Sequence, residues 1–347
     1  MQQLTRDMGY FIGRLVDGRD LSQEDAVEAM RFIMSGRATQ SQIGGFLTAL
    51  RMKGVSIEEI TAFARGMREF AITIHPGVGR PLVDMCGTGG DAIKTFNIST
   101  AASFVVSSAG IPVAKHGGRS VTSKSGSADV LEALGARIDL KPAAVQRMIE
   151  DIGFGFMFAP VFHGAMKYAG GPRKEIGIRT VFNLLGPLTN PASAQAQVMG
   201  IYDQDLVGPI ALVLKNLGVE RALVVHGAGG LDEVSTFGPT YVCELKDGMT
   251  RSYTLTPEGL GIKKVRVEDL RGGDAKANAA ITRDILQGAE GPKRDVVLLN
   301  AACGIYVGGG APTLPKALDI AAEKISSGAA YDKLLEYIER SNVEDRL

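Results

Sequence analysis

Residues 84–100 read DMCGTGGDAIKTFNIST, and this stretch restricts the fold more than any other. A short apolar run from Pro81 to Met85, broken only by Asp84, empties into Gly87-Thr88-Gly89-Gly90-Asp91, and a hydroxyl-rich helix start follows at Asn97-Ile98-Ser99-Thr100. A strand that opens through glycines into a helix N-terminus lets backbone N–H groups and the helix dipole converge on an anion. The plainer alternative is a strand-to-helix turn with no ligand. The loop closes without Gly-Lys-Ser/Thr and its spacing is Gly-x-Gly-Gly, which excludes a Walker A loop and the dinucleotide fingerprint. A second glycine-rich, basic segment follows at Lys115-His116-Gly117-Gly118-Arg119-Ser120 and Ser123-Lys124-Ser125-Gly126-Ser127. Two such segments in succession predict a ligand with several phosphates.

The rest of the chain supports an α/β enzyme. Residues 1–72 read as four short helices. Leu4, Met8, Phe11, Ile12 and Leu15 recur at helical spacing, Ser22–Asp25 and Ser56–Glu59 resemble capping boxes, and a helix from about Thr39 to Lys53 lies between them. From residue 80 the pattern changes. Apolar runs at 82–86, 113–115, 154–158, 198–202, 222–226 and 296–300 alternate with helical stretches such as 100–109, 127–135, 142–152 and 205–217. This predicts a larger α/β domain over 80–347, with a mainly parallel central sheet flanked by helices. Residues 240–255 read as a hairpin turning at Lys246–Met249, and 313–342 as two helices. Residues 163–190 are helical and glycine-interrupted, which suggests that they return to the N-terminal bundle.

Composition narrows the function. Lys plus Arg equals Asp plus Glu at 38 each, so no global field draws nucleic acid or an anionic membrane. The N-terminus carries no signal-peptide run and no stretch has the ~20 apolar residues of a span. Cys86, Cys243 and Cys303 lie far apart without metal-ligand spacing, which fits reduced thiols in a cytoplasmic protein.

Individual residues carry alternatives. Lys115 and Arg119, just beyond a strand, sit where parallel sheets bind ligands, or else form a solvated basic surface. His116 is a general base or only a hydrogen-bonding neighbour. Asp232-Glu233, after the glycine turn 227–230, either hold a hard cation such as Mg²⁺ or satisfy a helix N-terminus. Arg173 has the fork geometry for a carboxylate, though composition alone leaves it a surface residue.

The ordered series GTGGD, NIST, KHG-x-RS, KSGSADVLEALG, GIRTVFNLLGPLTNPA and GLDEVS, spread over nearly the whole chain, resembles the anthranilate phosphoribosyltransferase family of tryptophan biosynthesis. The resemblance implies a helical domain, an α/β domain and a homodimer formed through the helical part. It also implies Mg²⁺-dependent transfer of phosphoribose from 5-phosphoribosyl diphosphate to anthranilate. Carried onto this sequence, Gly87, Gly90, Asp91 and Thr95 line the diphosphate loop, with Asn97, Ile98, Ser99 and Thr100 beside it. Lys115, His116, Gly117, Arg119, Ser123 and Ser127 cover the phosphoribosyl group. Ser99, Asp232 and Glu233 hold Mg²⁺, while Arg173, with Gly87 and Gly118, meets anthranilate. The family usually has asparagine after KHG where this chain has Gly118, which leaves the acceptor site roomier and one hydrogen bond poorer. Alternatives on the same scaffold are a different amine acceptor, a pyrimidine nucleoside phosphorylase, whose members are longer, and a nucleic-acid-binding relative, which the neutral charge disfavours.

Overall fold

The computed structural model describes residues 6–90, 93–120 and 125–344. Helices α1 (Met8–Val16), α2 (Gln23–Met34), α3 (Gln40–Lys53) and α4 (Ile57–Arg68) come first. At α4 the Ser56 hydroxyl accepts the Glu59 N–H at 3.2 Å, and the Glu59 carboxylate accepts the Ser56 N–H at 3.0 Å, so two end donors are satisfied reciprocally. Thr39 and Gln42 build the same box on α3. At α2 only half of it forms. Ser22 accepts the Asp25 N–H, but the Asp25 carboxylate turns to Arg6 at 3.4 Å.

Next come β1 (Val83–Gly87), α5 (Ile98–Ser108), β2 (Val113–Gly117), α6 (Ser127–Leu134), α7 (Pro142–Ile152), β3 (Phe154–Phe158), α8 (Ala159–Phe162), α9 (Lys167–Ile176) and α10 (Phe182–Leu188). The chain continues through β4 (Ala196–Gly200), α11 (Val207–Asn216), β5 (Arg221–Gly227), β6 (Thr240–Lys246) and β7 (Met249–Leu255). It ends with α12 (Ala275–Leu286), α13 (Pro292–Val307), α14 (Leu314–Ser326) and α15 (Ala329–Val343).

The seven strands lie in the order β3-β2-β1-β4-β5-β6-β7, parallel through β5 and antiparallel beyond it. The chain moves outward from β1 to β3, then returns to place β4 on the other side of β1. Such a reversal opens a crevice at the carboxyl ends of the strands. The expected hairpin is present, with Lys246 opposite Met249 and φ of 52° at Asp247 and 72° at Gly248, as a tight primed turn requires.

Side chains alternate across the sheet with the period of two that extended backbone imposes. Val83, Met85, Val198, Leu223 and Val225 pack on the side of α5 and α13. Met199, Ile201, Ala222 and Val224 pack on the other side with α11 and the N-terminal helices. Ala169, Phe182, Leu184 and Leu185 from α9 and α10 join that second cluster.

One element differs from expectation. Residues 296–300, read as a strand, lie within α13. This helix packs against α5 and α14 and is buried from Val296 through Ile305, so it has no polar face to betray a helical period. Among the described residues, no helix is long and apolar enough to cross a membrane.

Candidate active site

β1 delivers the glycine loop to the crevice, and the loop is tied down on both flanks. The Thr88 N–H donates to the Gly200 carbonyl at 3.0 Å, and the Thr88 hydroxyl accepts the Tyr202 N–H at 3.2 Å. Gly89 and Gly90 have φ of 69° and 80°, the left-handed region that glycine enters without strain. Arg179 donates to the Gly90 carbonyl while its guanidinium lies 4.1 Å from the Tyr202 ring centroid. Asp91 lies outside the described residues. Thr95 pairs with Arg271 in an isolated bridge.

The acidic pair closes over this loop. Asp232 Oδ2 accepts the Gly89 N–H at 2.7 Å, and Glu233 Oε1 accepts the Ser99 N–H at 3.1 Å, at the start of α5. A Cβ on Gly87 would overlap the Asp232 carboxylate, so glycine is required there for contact rather than for φ. The Ser99 hydroxyl lies 3.3 Å from Lys115 Nζ, which also donates to the Met85 carbonyl. Lys115 is 2% exposed. Burial pushes its pKa down, and Asp84 is foremost among the charges opposing that shift. Two carboxylates and a hydroxyl form a set of hard oxygen donors suited to Mg²⁺, whose remaining positions are taken by water and phosphate oxygens. Among the described residues no group of three or more His, Cys, Asp or Glu could hold a metal alone.

The second segment folds beneath α6. Gly118 O accepts the Ala128 N–H at 3.2 Å, and Asp129 accepts the Gly126 and Ser120 N–H groups at 2.8 and 3.0 Å. A Cβ on Gly117 would overlap the Ser127 hydroxyl, so Ser127 stands directly against this turn. Ser123 and Lys124 lie outside the described residues. Ile98 is buried in the core. Thr100 is buried, with no hydrogen-bond partner for its hydroxyl.

Arg119 and His116 have partners outside the glycine loop. Arg119 is tied to α6. Its guanidinium is held by Glu132 at 2.6 and 2.8 Å and by Asp129 at 2.9 Å on α6. Of the two readings of His116, burial favours the neighbour over the base. Its ring packs 4.9 Å from that of His163, and burial lowers its pKa to about 3, so it is neutral at pH 7.

Arg173, on α9, has a guanidinium 5.1 Å from the Phe182 ring centroid. Its side chain makes no hydrogen bond or ion pair among the described residues, and burial lowers its pKa. The sequence reading missed Asp84 and Asn190. Asp84 is fully buried on β1 and accepts from Asn190 Nδ2 at 2.7 Å and from the His116 N–H at 3.3 Å. Burial raises its carboxyl to about 6. A lone carboxylate inside an apolar strand was the signal available for it.

Comparison with known proteins agrees with this layout. Residues 79–331 match the α/β domain of a glycosyl transferase family, and residues 10–71 match the helical bundle domain of that family. The chain is 57% identical to anthranilate phosphoribosyltransferase of Moorella thermoacetica over 326 residues, covering 93% of this chain and 95% of that one. The crystal structure of anthranilate phosphoribosyltransferase from Thermus thermophilus is similar with a TM-score of 0.91 at 43% identity, covering 96% of this chain and 99% of that one. The Saccharomyces cerevisiae enzyme in complex with 5-phosphoribosyl diphosphate and Mg gives a TM-score of 0.89 at 29% identity, covering 96% and 98%.

Proposed function

The chain belongs to the anthranilate phosphoribosyltransferase family, which transfers phosphoribose from 5-phosphoribosyl diphosphate to anthranilate, and we propose that the crevice beyond β1, β2 and β4 carries this reaction. The observation that carries the assignment is the closure of Asp232 and Glu233 over Gly89 and Ser99. Two carboxylates brought onto a phosphate-type loop would repel a diphosphate unless a cation stood between them. Ser99, Asp232 and Glu233 would hold Mg²⁺, which supplies positive charge for the departing diphosphate oxygens.

In this reading Gly87, Gly90, Asp91 and Thr95 line the diphosphate, with residues 97–100 presenting the start of α5. Lys115, Gly117, Ser123 and Ser127 face the phosphoribosyl group, and His116 supports the turn by packing. Arg173 and Gly118 face anthranilate, and Arg179 links the chain beyond α9 to the diphosphate loop at Gly90.

The chemistry asks for placement and charge. An N–C1 bond forms, the C1–O bond to diphosphate breaks, and a proton leaves the nitrogen. The aromatic amine is already neutral at pH 7, so no base is needed before attack. Lys115, buried beside Ser99, puts a cation where negative charge grows. Residues 1–72 with part of 163–190 form the helical domain in this proposal. Val16 and Met52, exposed apolar residues at the ends of α1 and α3, support a homodimer through it. Three buried free cysteines support a cytoplasmic setting.

The test is loss of anthranilate fluorescence on mixing with 5-phosphoribosyl diphosphate and Mg²⁺. Consumption should require both substrates and stop with chelator. Transfer to another amine, with anthranilate ignored, would leave the reaction class and overturn the acceptor.

A further inference from the structure

The amide of Asn278, on α12 and 2% exposed, sits where three chain segments meet. Its Oδ1 accepts the Gly273 N–H at 2.7 Å, and its Nδ2 donates to Asn97 Oδ1 at 3.0 Å. Asn97 Nδ2 then donates to the Ser125 carbonyl at 3.2 Å. The backbone at each end fixes the direction of this relay. A Gly273 N–H can only donate, so Asn278 must present its oxygen there and its NH₂ to Asn97. Asn97 must then accept on that side and turn its own NH₂ to Ser125, whose carbonyl can only accept.

The surroundings lock the first link. The Gly272 N–H donates to Lys94 O at 3.1 Å, and Gly272 lies so close to the Phe96 backbone that a Cβ would overlap it. Helix α12 also packs against α6, which starts at Ser127. Asn97 makes no side-chain cap on α5, although it occupies the cap position, so the relay is the role its amide has.

Resting on the reading that residues 87–100 hold the diphosphate and 115–127 the phosphoribosyl group, we infer that Asn278 is a positioning residue. Through Asn97 it fixes the spacing of these two substrate-binding segments, without touching substrate itself.

Asn278→Asp keeps the acceptor for Gly273 but has no hydrogen to give Asn97. The Asn97 amide must then either face an oxygen or flip, and on flipping it withdraws its NH₂ from Ser125 O. Calorimetric binding of 5-phosphoribosyl diphosphate with Mg²⁺ should weaken roughly three- to ten-fold, the effect of one hydrogen bond. The KM for anthranilate should stay within about two-fold, and in an Asn97→Ala background the same substitution should add less than about two-fold, because the two residues act in series. Unchanged binding, an equal change for both substrates, or a full additional effect on top of Asn97→Ala overturns the inference. Should the aspartate variant fail to fold, Asn278→Ala, which removes both bonds, carries the same comparisons. A wild-type chain that binds 5-phosphoribosyl diphosphate but does not transfer to anthranilate would refute the proposed activity, while the binding comparison still decides the relay.

Discussion

Gly200 and Asp232 touch backbone to backbone: a Cβ on Gly200 would overlap the Asp232 carbonyl. β4 therefore supports the acidic pair directly, and the Asp232 carboxylate is carried from there onto Gly87 and Gly89. The placement of the acidic pair depends on two strand-end glycines, Gly87 and Gly200, at the β1/β4 reversal, where the same sheet opens its crevice.

Gly200→Ala should accordingly act like damage to the acidic pair. Overpacking of this kind typically costs about 1–3 kcal/mol, and relief requires Asp232 to move. The Mg²⁺ concentration for half-maximal rate should rise along with a fall in Tm. Asp232→Asn with Glu233→Gln should nearly abolish turnover without a comparable loss of Tm. Full activity of that double variant at ordinary Mg²⁺ would remove the metal assignment.

Arg173→Ala should raise the KM for anthranilate and leave that for 5-phosphoribosyl diphosphate nearly unchanged. A desolvated charge-assisted contact contributes on the order of 1.5–3 kcal/mol, or about ten-fold or more in KM. Lysine should restore little of it, since a carboxylate is read by the planar fork. Steady-state kinetics varying each substrate in turn would reveal a misplaced arginine as a selective loss for the diphosphate substrate.

Stability should depend on pH through three buried groups. The ordinary histidine value is 6.5, while burial holds His116 at about 3 and His163 at about 4. The unfolded chain therefore binds more protons in this interval, and stability falls as pH drops from 6.5 toward 4, by about 1.4 kcal/mol per pH unit for each ring. Asp84 has the opposite sign. Its carboxyl is raised from 3.8 to about 6, so the folded chain takes that proton first and gains as pH falls through this window. Urea midpoints measured from pH 4 to 7 should show a flatter decline for His163→Gln and a steeper one for Asp84→Asn. The reverse order would mean that these groups do not titrate as their burial dictates.

What the sequence revealed was whatever one segment carries by itself. Glycines, hydroxyls and the Asp232-Glu233 pair sit together in short stretches, so they could be picked out as candidates before any fold was known, and the structure brings Asp232 to Gly89 and Glu233 to Ser99. Asn190 meets Asp84 across 106 residues, and Asn278 meets Asn97 across 181, so nothing local marks either. Arg119 shows the same limit from the other side. It stands four residues from Lys115, yet its side chain is drawn to Asp129 and Glu132, which sequence spacing cannot indicate. Helix α13 was hidden by its burial on every side, where period-two and period-3.6 patterns both vanish.

Gly118 is where the resemblance implies an asparagine, and the structure makes that substitution feasible. Among the described residues a Cβ there meets only Ala159 Cβ, at 3.8 Å, an ordinary contact, and Gly118 is not among the positive-φ glycines. Neither space nor backbone strain therefore demands glycine, unlike Gly117 beside it, where a Cβ would collide with Ser127 and Phe156. Gly118→Asn should supply one neutral hydrogen bond to the acceptor, worth roughly 0.5–1.5 kcal/mol, and so lower the KM for anthranilate a few-fold. The value of kcat should change little if, as proposed, diphosphate departure depends on the glycine loop, the acidic pair and Lys115. If glycine instead makes room for a larger acceptor, the asparagine variant should lose ring-substituted anthranilates more than it gains the parent. Assaying both proteins against anthranilate and substituted anthranilates separates the two. An asparagine variant with an unchanged KM for every acceptor would show that position 118 does not face the acceptor at all.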